Sequence, residues 1–130
     1  LGSQIQVTGI CVRRNATAQQ DRIRARCREI GEILGIQSQV TEKDIHLYDR
    51  FLTPGYGQMN QTIVDSIRIS AHTEGLILDP VYSGRTMAGL IHRAQKTKEK
   101  KTFLFLHTGG NPSLFAYGPE LTKALAIDPV

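Results

Sequence analysis

Three short loops of the chain combine hydroxyl side chains with glycine, a composition suited to holding a small ligand. They are residues 54–58 (PGYGQ), 79–84 (DPVYSG) and 107–112 (HTGGNP). Glycine lets backbone N–H groups approach a ligand closely, and the phenols of Tyr56 and Tyr82 can donate or accept protons. These residue types predict a polar small-molecule site without identifying its ligand.

The same residues have structural explanations that their spacing leaves open. Gly109-Gly110 can be a turn between a strand and a helix, and Ser83 and Asn111 can be plain N-caps. The two tyrosines can be core residues whose hydroxyls find backbone partners. His107 fits a packed strand end better than a catalyst, because no partner group is evident for it.

The elements that position these loops follow an alternating pattern. Apolar runs at residues 5–12, 45–48, 76–78 and 102–106 predict four strands. Helical spacing separates them, and the alternation predicts a single α/β domain with an open, three-layer, largely parallel sheet and helices on both faces. In such sheets ligands bind beyond the carboxyl ends of the strands, where two of the three loops lie.

Helix boundaries are predicted from apolar spacing and end signals. Ile23, Cys27, Ile30 and Leu34 recur at spacings of four, three and four residues, and Gly35 supplies the end of that helix. Further helices are predicted around residues 63–71 with an end at Gly75, around residues 87–94, after an N-cap at Asn111 with Pro112 in the first turn, and around residues 120–126.

Composition argues against several classes of function. The 130 residues carry a net charge of +4, much of it from lysines between residues 96 and 101, where no aromatic side chains interleave. This pattern favours a solvated surface over a nucleic-acid interface. No apolar run approaches the roughly 20 residues that cross a membrane. Cys11 and Cys27 show no paired spacing, which predicts reduced, packed thiols rather than a metal or redox site.

Three stretches carry a family resemblance. Residues 55–58 (GYGQ), 74–84 (EGLILDPVYSG) followed by 87–91 (MAGLI), and 105–117 (FLHTGGNPSLFAY) resemble the D-cysteine desulfhydrase / 1-aminocyclopropane-1-carboxylate deaminase family. The combined match is specific, whereas GYG or HTGG alone is weak. The resemblance implies a tryptophan-synthase-β-like fold with pyridoxal 5'-phosphate as the cofactor.

The resemblance also implies roles for single residues. Tyr56 and Tyr82 are expected as catalytic residues on the substrate side of the cofactor, and Thr108 is expected to hydrogen-bond the pyridine nitrogen. A hydroxyl there does not hold a proton on the nitrogen as a carboxylate would, which suits elimination of a β-substituent better than transamination. The cofactor-binding residues expected on this basis are Thr108, Ser83, Gly109 and Gly110.

Two positions separate the branches of that family. In the deaminase branch the residue after the motif tyrosine is typically Glu and the late motif reads His-Leu-Gly-Gly, whereas this chain has Ser83 and Thr108. Both residues agree with the desulfhydrase-like branch. The resemblance therefore implies α,β-elimination from a β-substituted amino acid, giving pyruvate, ammonia and sulfide or a similar leaving group. Ring-opening deamination is the alternative.

The lysine half of the expected site is missing from the sequence. Family members carry the cofactor's lysine and a phosphate-binding loop upstream, and no lysine here lies in such a context. With its opening Leu1-Gly2-Ser3, the chain is expected to be the C-terminal portion of a longer enzyme and inactive alone. The resemblance implies a homodimer with an amino-acid substrate, and a cytoplasmic location without nucleic-acid or membrane partners is expected. A non-catalytic small-molecule-binding module is the other interpretation.

Overall fold

The computed structural model describes residues 5–126 of the chain. The chain divides into two compact units, the first ending at Leu52 and the second beginning at Thr53. Among the helices of the described residues, none combines the length and the apolar character that a bilayer crossing requires.

The first unit is a β–α–β arrangement. Strands β1 (Thr8–Ile10) and β2 (His46–Tyr48) pair in parallel, with Gly9 opposite Leu47. Helix α1 (Ala16–Leu34) lies between them in the chain, followed by a 3₁₀ turn at Glu42–Asp44. The first two predicted strands are confirmed in place and direction, although both are shorter than predicted.

Helix α1 begins and ends where its sequence signals indicate. The Asn15 side chain accepts the N–H of Ala18 at 2.9 Å, and Gly35 adopts a left-handed conformation (φ +66°) just past the last turn. Asp49, which follows β2, accepts the N–H of Ala16 at 2.9 Å and so ties the end of the strand to the start of the helix. Cys11 is buried in this unit, as predicted, whereas Cys27 on α1 is only partly buried.

The second unit is built from helices around a small apolar core. Helices α2 (Gln61–Glu74), α3 (Ser83–Lys96) and α4 (Gly118–Leu125) are joined by loops and by a 3₁₀ helix at Asn111–Ala116. The predicted helix end at Gly75 is confirmed, with φ +66° at that residue. The buried core cluster consists of Ile63, Ile67, Leu78 and Leu121.

The predictions of strands at residues 76–78 and 102–106 are wrong for the described structure, because neither segment is paired in a sheet. A strand is defined by hydrogen bonds to a neighbouring strand, and apolar sequence alone does not supply that neighbour. Leu78 and Phe105 turn towards the core, whereas Ile77 is 64% and Leu104 86% exposed. The segments thus have one apolar face packed and the other open.

The predicted N-cap at Asn111 is wrong, and Ser83, which the sequence left open as a possible N-cap, is not one either. Tyr82 rather than Ser83 occupies the N-cap position of α3, and Ser83 is its first helical residue. Gly110 rather than Asn111 precedes the 3₁₀ helix, in a left-handed conformation (φ +101°). The last helix begins at Gly118 with Pro119 in its first turn, slightly earlier than predicted.

Candidate active site

The loop that carries Tyr56 is closed by its own polar contacts. Asn60 caps α2 by accepting the N–H of Ile63 at 3.0 Å, and its amide nitrogen donates to the Thr53 carbonyl at 2.9 Å. The Gln58 N–H donates to the Gly55 carbonyl at 3.3 Å. These bonds fix both ends of residues 53–60, so Tyr56 projects from a defined turn.

Tyr56 and Tyr82 meet at one place on the second unit. Their hydroxyls are hydrogen-bonded to each other, and their rings are arranged edge to face with centroids 6.2 Å apart. Tyr56 is 48% exposed and Tyr82 42% exposed, so a ligand can reach both phenols. Two residues that are 26 positions apart in sequence therefore form one hydrogen-bonded pair of phenols.

Asp79 is the buried centre to which two of the three loops attach. Its carboxylate is fully buried and accepts the N–H groups of Val81 at 2.9 Å and of Tyr82 at 2.8 Å. It also accepts the N–H of Ser83 at 2.8 Å and the Ser83 hydroxyl at 2.6 Å. The negative charge thus lies at the N-terminus of α3, where the helix dipole favours it.

The ionised form of Asp79 is stabilised by these contacts. Burial tends to raise the pKa of the carboxyl, but the bonds from the hydroxyl and N–H of Ser83 and from the N–H groups of Tyr82 and Val81 outweigh it. The pKa of Asp79 therefore lies below its usual range, and the group is a carboxylate at neutral pH. Its charge is directed at the protein's own donors, and its role is to position the loop.

The loop of residues 107–112 approaches Asp79 from the other side. A Cβ atom on Gly110 would lie 2.3 Å from the Asp79 Oδ1, so only glycine fits there. The Ser113 hydroxyl lies 3.2 Å from the Asp79 Oδ2 and 2.8 Å from the Gly110 carbonyl. The loop containing Thr108 and the loop containing Tyr82 are consequently held together by one carboxylate.

The predicted cofactor-binding residues occupy different environments. Thr108 is exposed, and the N–H of Gly109 donates to the His107 Nδ1 at 3.2 Å. Nothing lies within 4 Å of the position that a Cβ on Gly109 would take. Ser83 is buried, and its hydroxyl proton is directed at Asp79 while its oxygen accepts the Asp79 N–H at 2.8 Å. The assignment of Ser83 as a cofactor ligand stays a prediction. What the structure shows is that Ser83 binds Asp79.

The polar groups of these loops are better suited to an organic ligand than to a metal ion. Within residues 5–126 no group of three or more His, Cys, Asp or Glu side chains is arranged to hold a metal. The exposed Thr108 hydroxyl, the open space at Gly109 and the exposed tyrosine pair leave room for an organic ligand such as pyridoxal phosphate. Lys96 ends α3 about 20 Å along the axis from Ser83, too far to join this group.

Sequence reasoning missed the part played by Asp79. The available signal was an aspartate directly after an apolar run and just ahead of a helix, a position where carboxylates accept the first free N–H groups. Its contact with Gly110 depends on tertiary structure and has no local signal.

Comparisons with known proteins identify the family of the chain. Residues 1–109 match the family described as pyridoxal-phosphate dependent enzyme. The chain is 38% identical over 120 residues to a D-cysteine desulfhydrase of Klebsiella pneumoniae, covering 91% of this chain and 36% of that protein. It is 36% identical over 119 residues to a D-cysteine desulfhydrase of Salmonella typhi, covering 90% of this chain and 35% of that protein.

A solved structure has the same fold over most of the chain. The crystal structure of an ACC deaminase homologue superposes with a TM-score of 0.77 at 34% identity, covering 91% of this chain and 35% of that chain. The α/β class and the tryptophan-synthase-β-like fold predicted from the sequence are confirmed. The chain spans about a third of the length of the relatives it matches. It belongs to the family of pyridoxal-phosphate-dependent enzymes.

Proposed function

We propose that the protein containing this chain is a pyridoxal-phosphate-dependent lyase that eliminates the β-substituent of an amino acid such as D-cysteine, releasing pyruvate, ammonia and sulfide. Residues 1–130 would form its C-terminal portion, with the cofactor's lysine and phosphate site supplied elsewhere in the protein. The observation that carries the proposal is the accessible hydroxyl pair of Tyr56 and Tyr82, which lies beside the Asp79-organised loop. The two relatives named D-cysteine desulfhydrase support the choice of substrate.

The proposed roles follow from the positions of these side chains. When bound, pyridoxal phosphate supplies the electron sink for removing a proton from the substrate's Cα. Tyr56 and Tyr82 share one hydrogen bond, so one phenol donates while the other accepts. We assign to this pair the transfer of a proton at the departing substituent. Thr108 would hydrogen-bond the pyridine nitrogen without placing a negative charge beside it.

The experiment is an assay of the full-length protein with three substrates. We expect pyruvate and sulfide from D-cysteine, and less turnover of L-cysteate and of 1-aminocyclopropane-1-carboxylate. Tyr56→Phe and Tyr82→Phe should each lower kcat by about a hundredfold, the usual size of one acid–base contribution. Tyr48→Phe, in β2 of the first unit, is the matched control and should leave kcat unchanged. Full activity in both site variants would refute the assignment.

The second candidate is ring-opening deamination of 1-aminocyclopropane-1-carboxylate. It is favoured by the likeness to the solved ACC deaminase homologue. It predicts 2-oxobutanoate instead of pyruvate as the keto acid, so identifying the product in the same assay separates the two. Ser83 and Thr108 support the first candidate, since the deaminase-type motif has Glu and Leu at these positions.

The assembly and location belong to the same proposal. We infer that the full-length protein is a cytoplasmic homodimer acting on a small amino acid. The resemblance to the family supports this, and the mass of the native protein in solution tests it. A monomer at micromolar concentration would contradict the dimer.

A further inference from the structure

Arg85 is a fully buried cation whose side chain faces the loop that carries Tyr56. It lies in the first turn of α3, is 0% exposed, and its Nη2 donates to the Gly55 carbonyl at 2.9 Å and to the Gln58 carbonyl at 2.8 Å. Both bonds come from a single guanidinium nitrogen. The two carbonyls bracket Tyr56 in the sequence.

Burying an arginine costs free energy of folding unless its N–H groups find acceptors. Arginine side chains on a helix usually extend into solvent, as Arg68 does in part on α2. Arg85 instead points inward and binds a loop 27 to 30 residues earlier in the chain. Its contacts reach the loop's backbone and are therefore insensitive to the side chains that the loop carries.

The Tyr56 loop is restrained on a second side by Tyr117. Gly57 has a φ of +72°, and a Cβ there would lie 2.8 Å from the Tyr117 hydroxyl. The loop between Gly55 and Gln58 thus lies next to both the Tyr117 phenol and the Arg85 guanidinium. Because α3 begins directly after Tyr82, Arg85 connects the backbone around Tyr56 to the helix that follows Tyr82.

We propose that Arg85 is a positioning residue that keeps the Tyr56 hydroxyl in contact with the Tyr82 hydroxyl, acting through the Gly55 and Gln58 carbonyls. The expected effect of Arg85 on turnover rests on the proposed function. Its expected effect on the loop rests only on the observed hydrogen bonds. Arg85 itself does not touch the phenols in this scheme. It sets where one of them lies.

The test compares Arg85→Met with Arg85→Lys in the full-length protein. Methionine keeps much of the length and the apolar stem but removes the guanidinium and all its N–H donors. Lysine retains three donors on one nitrogen, and a single nitrogen makes both bonds in the native contact. Arg68→Met, a half-exposed arginine of α2, is the matched control for loss of one positive charge.

The first readout is independent of turnover. Hydrogen–deuterium exchange of the cofactor-free protein should be about tenfold faster at residues 55–60 in Arg85→Met, with α4 unchanged. Arg85→Lys should restore most of the protection, and Arg68→Met should show no change in this loop. Equal acceleration in α4 and in the loop would mean that Arg85 supports the whole unit, and would overturn the positioning role. So would unchanged exchange in the loop.

The second readout asks whether Arg85 acts through Tyr56. Arg85→Met should lower kcat by about a hundredfold, as a displaced catalytic group does, with little change in KM. In a Tyr56→Phe background the same substitution should cost less than about threefold, because the hydroxyl it positions is already gone. Full additivity of the two losses would refute the mechanism. Should Tyr56→Phe be fully active, the proposed function fails, while the exchange result still decides whether Arg85 holds the loop.

Discussion

Asp79 is a buried carboxylate that connects two loops of the candidate site. Its carboxylate binds donors from the start of α3 and lies against Gly110 in the next loop. In Asp79→Asn an amide N–H₂ would face backbone N–H groups. We expect the free energy of unfolding of the full-length protein to fall by about 2–4 kcal/mol in urea titrations. Asp65→Asn, on the exposed surface of α2, should change it by less than about 0.5 kcal/mol. Equal effects would refute the central place of Asp79.

Gly109 and Gly110 permit a comparison between adjacent residues. Both have positive φ, +105° and +101°, so alanine is strained at either position. Only at Gly110 would the new Cβ also collide with the Asp79 carboxylate, at 2.3 Å from its Oδ1. We expect Gly110→Ala to destabilise the protein by at least about 2 kcal/mol more than Gly109→Ala, as judged by thermal and urea unfolding. A difference near zero would show that the loop moves away from Asp79 at little cost.

The single residues that could be predicted from the sequence are those with a chemical signature. Tyr56 and Tyr82 stand in glycine-containing loops, and this composition marked them before any contact between them was visible. Asp79 was recognised only as part of a motif, and no local sequence signal singled out Arg85. Their roles depend on burial and on partners up to 34 residues away, as with Ser113, which local patterns do not contain.

At the scale of elements, α2 and α3 approach closely because Gly84 lies between them. A Cβ on Gly84 would lie 2.8 Å from Ile67 Cγ1 and 2.7 Å from the Asp79 carbonyl. The Ser66 hydroxyl, on α2, lies 2.8 Å from the Gly84 carbonyl and reinforces the contact. These short distances leave no room for a methyl group. The start of α3, and with it Tyr82, is therefore located by α2.

Gly84→Ala is expected to move α3 away from α2. The overpacked contact should cost about 1–3 kcal/mol of stability, measured by urea unfolding. Gly118→Ala is the matched control, since it also lies in the first turn of a helix and nothing lies within 4 Å of its Cβ position. The control should be neutral or slightly stabilising, because alanine has the higher helix propensity. Indistinguishable results for the two variants would contradict the close approach.

Helices were predicted more accurately than strands for a physical reason. A helix satisfies its backbone locally and carries its own end signals, such as Gly35 and Gly75, so its sequence is sufficient. A strand is satisfied by a neighbour that lies elsewhere in the chain. Apolar patterns found β1 and β2 but also marked residues 76–78 and 102–106, which are not paired in a sheet within the described residues.

At the scale of the whole molecule, the chain spans about a third of the length of its relatives and still contains the contacts that organise the candidate site. The Tyr56 loop, the start of α3 and the loop after residue 106 are all held by contacts within the second unit. The fold class followed from the alternation of elements. The substrate could not be predicted in this way, because the composition of the loops does not identify the residues that would select it.

The pH dependence of global stability should report the state of Asp79. Its pKa is lowered in the folded protein, so its stabilising contribution is complete above the unfolded value of about 4 and is lost as the pH falls through the lower folded value. The urea midpoints of wild type and Asp79→Asn should therefore differ at pH 6 and converge towards pH 2.5.

Asp44 has a pKa lowered in the same direction by the N–H and hydroxyl of Thr41. Asp44→Asn is the control, and because Asp44 is exposed its midpoint should stay close to that of wild type throughout. A constant gap between wild type and Asp79→Asn across this range would show that the charge of Asp79 is not what stabilises the site.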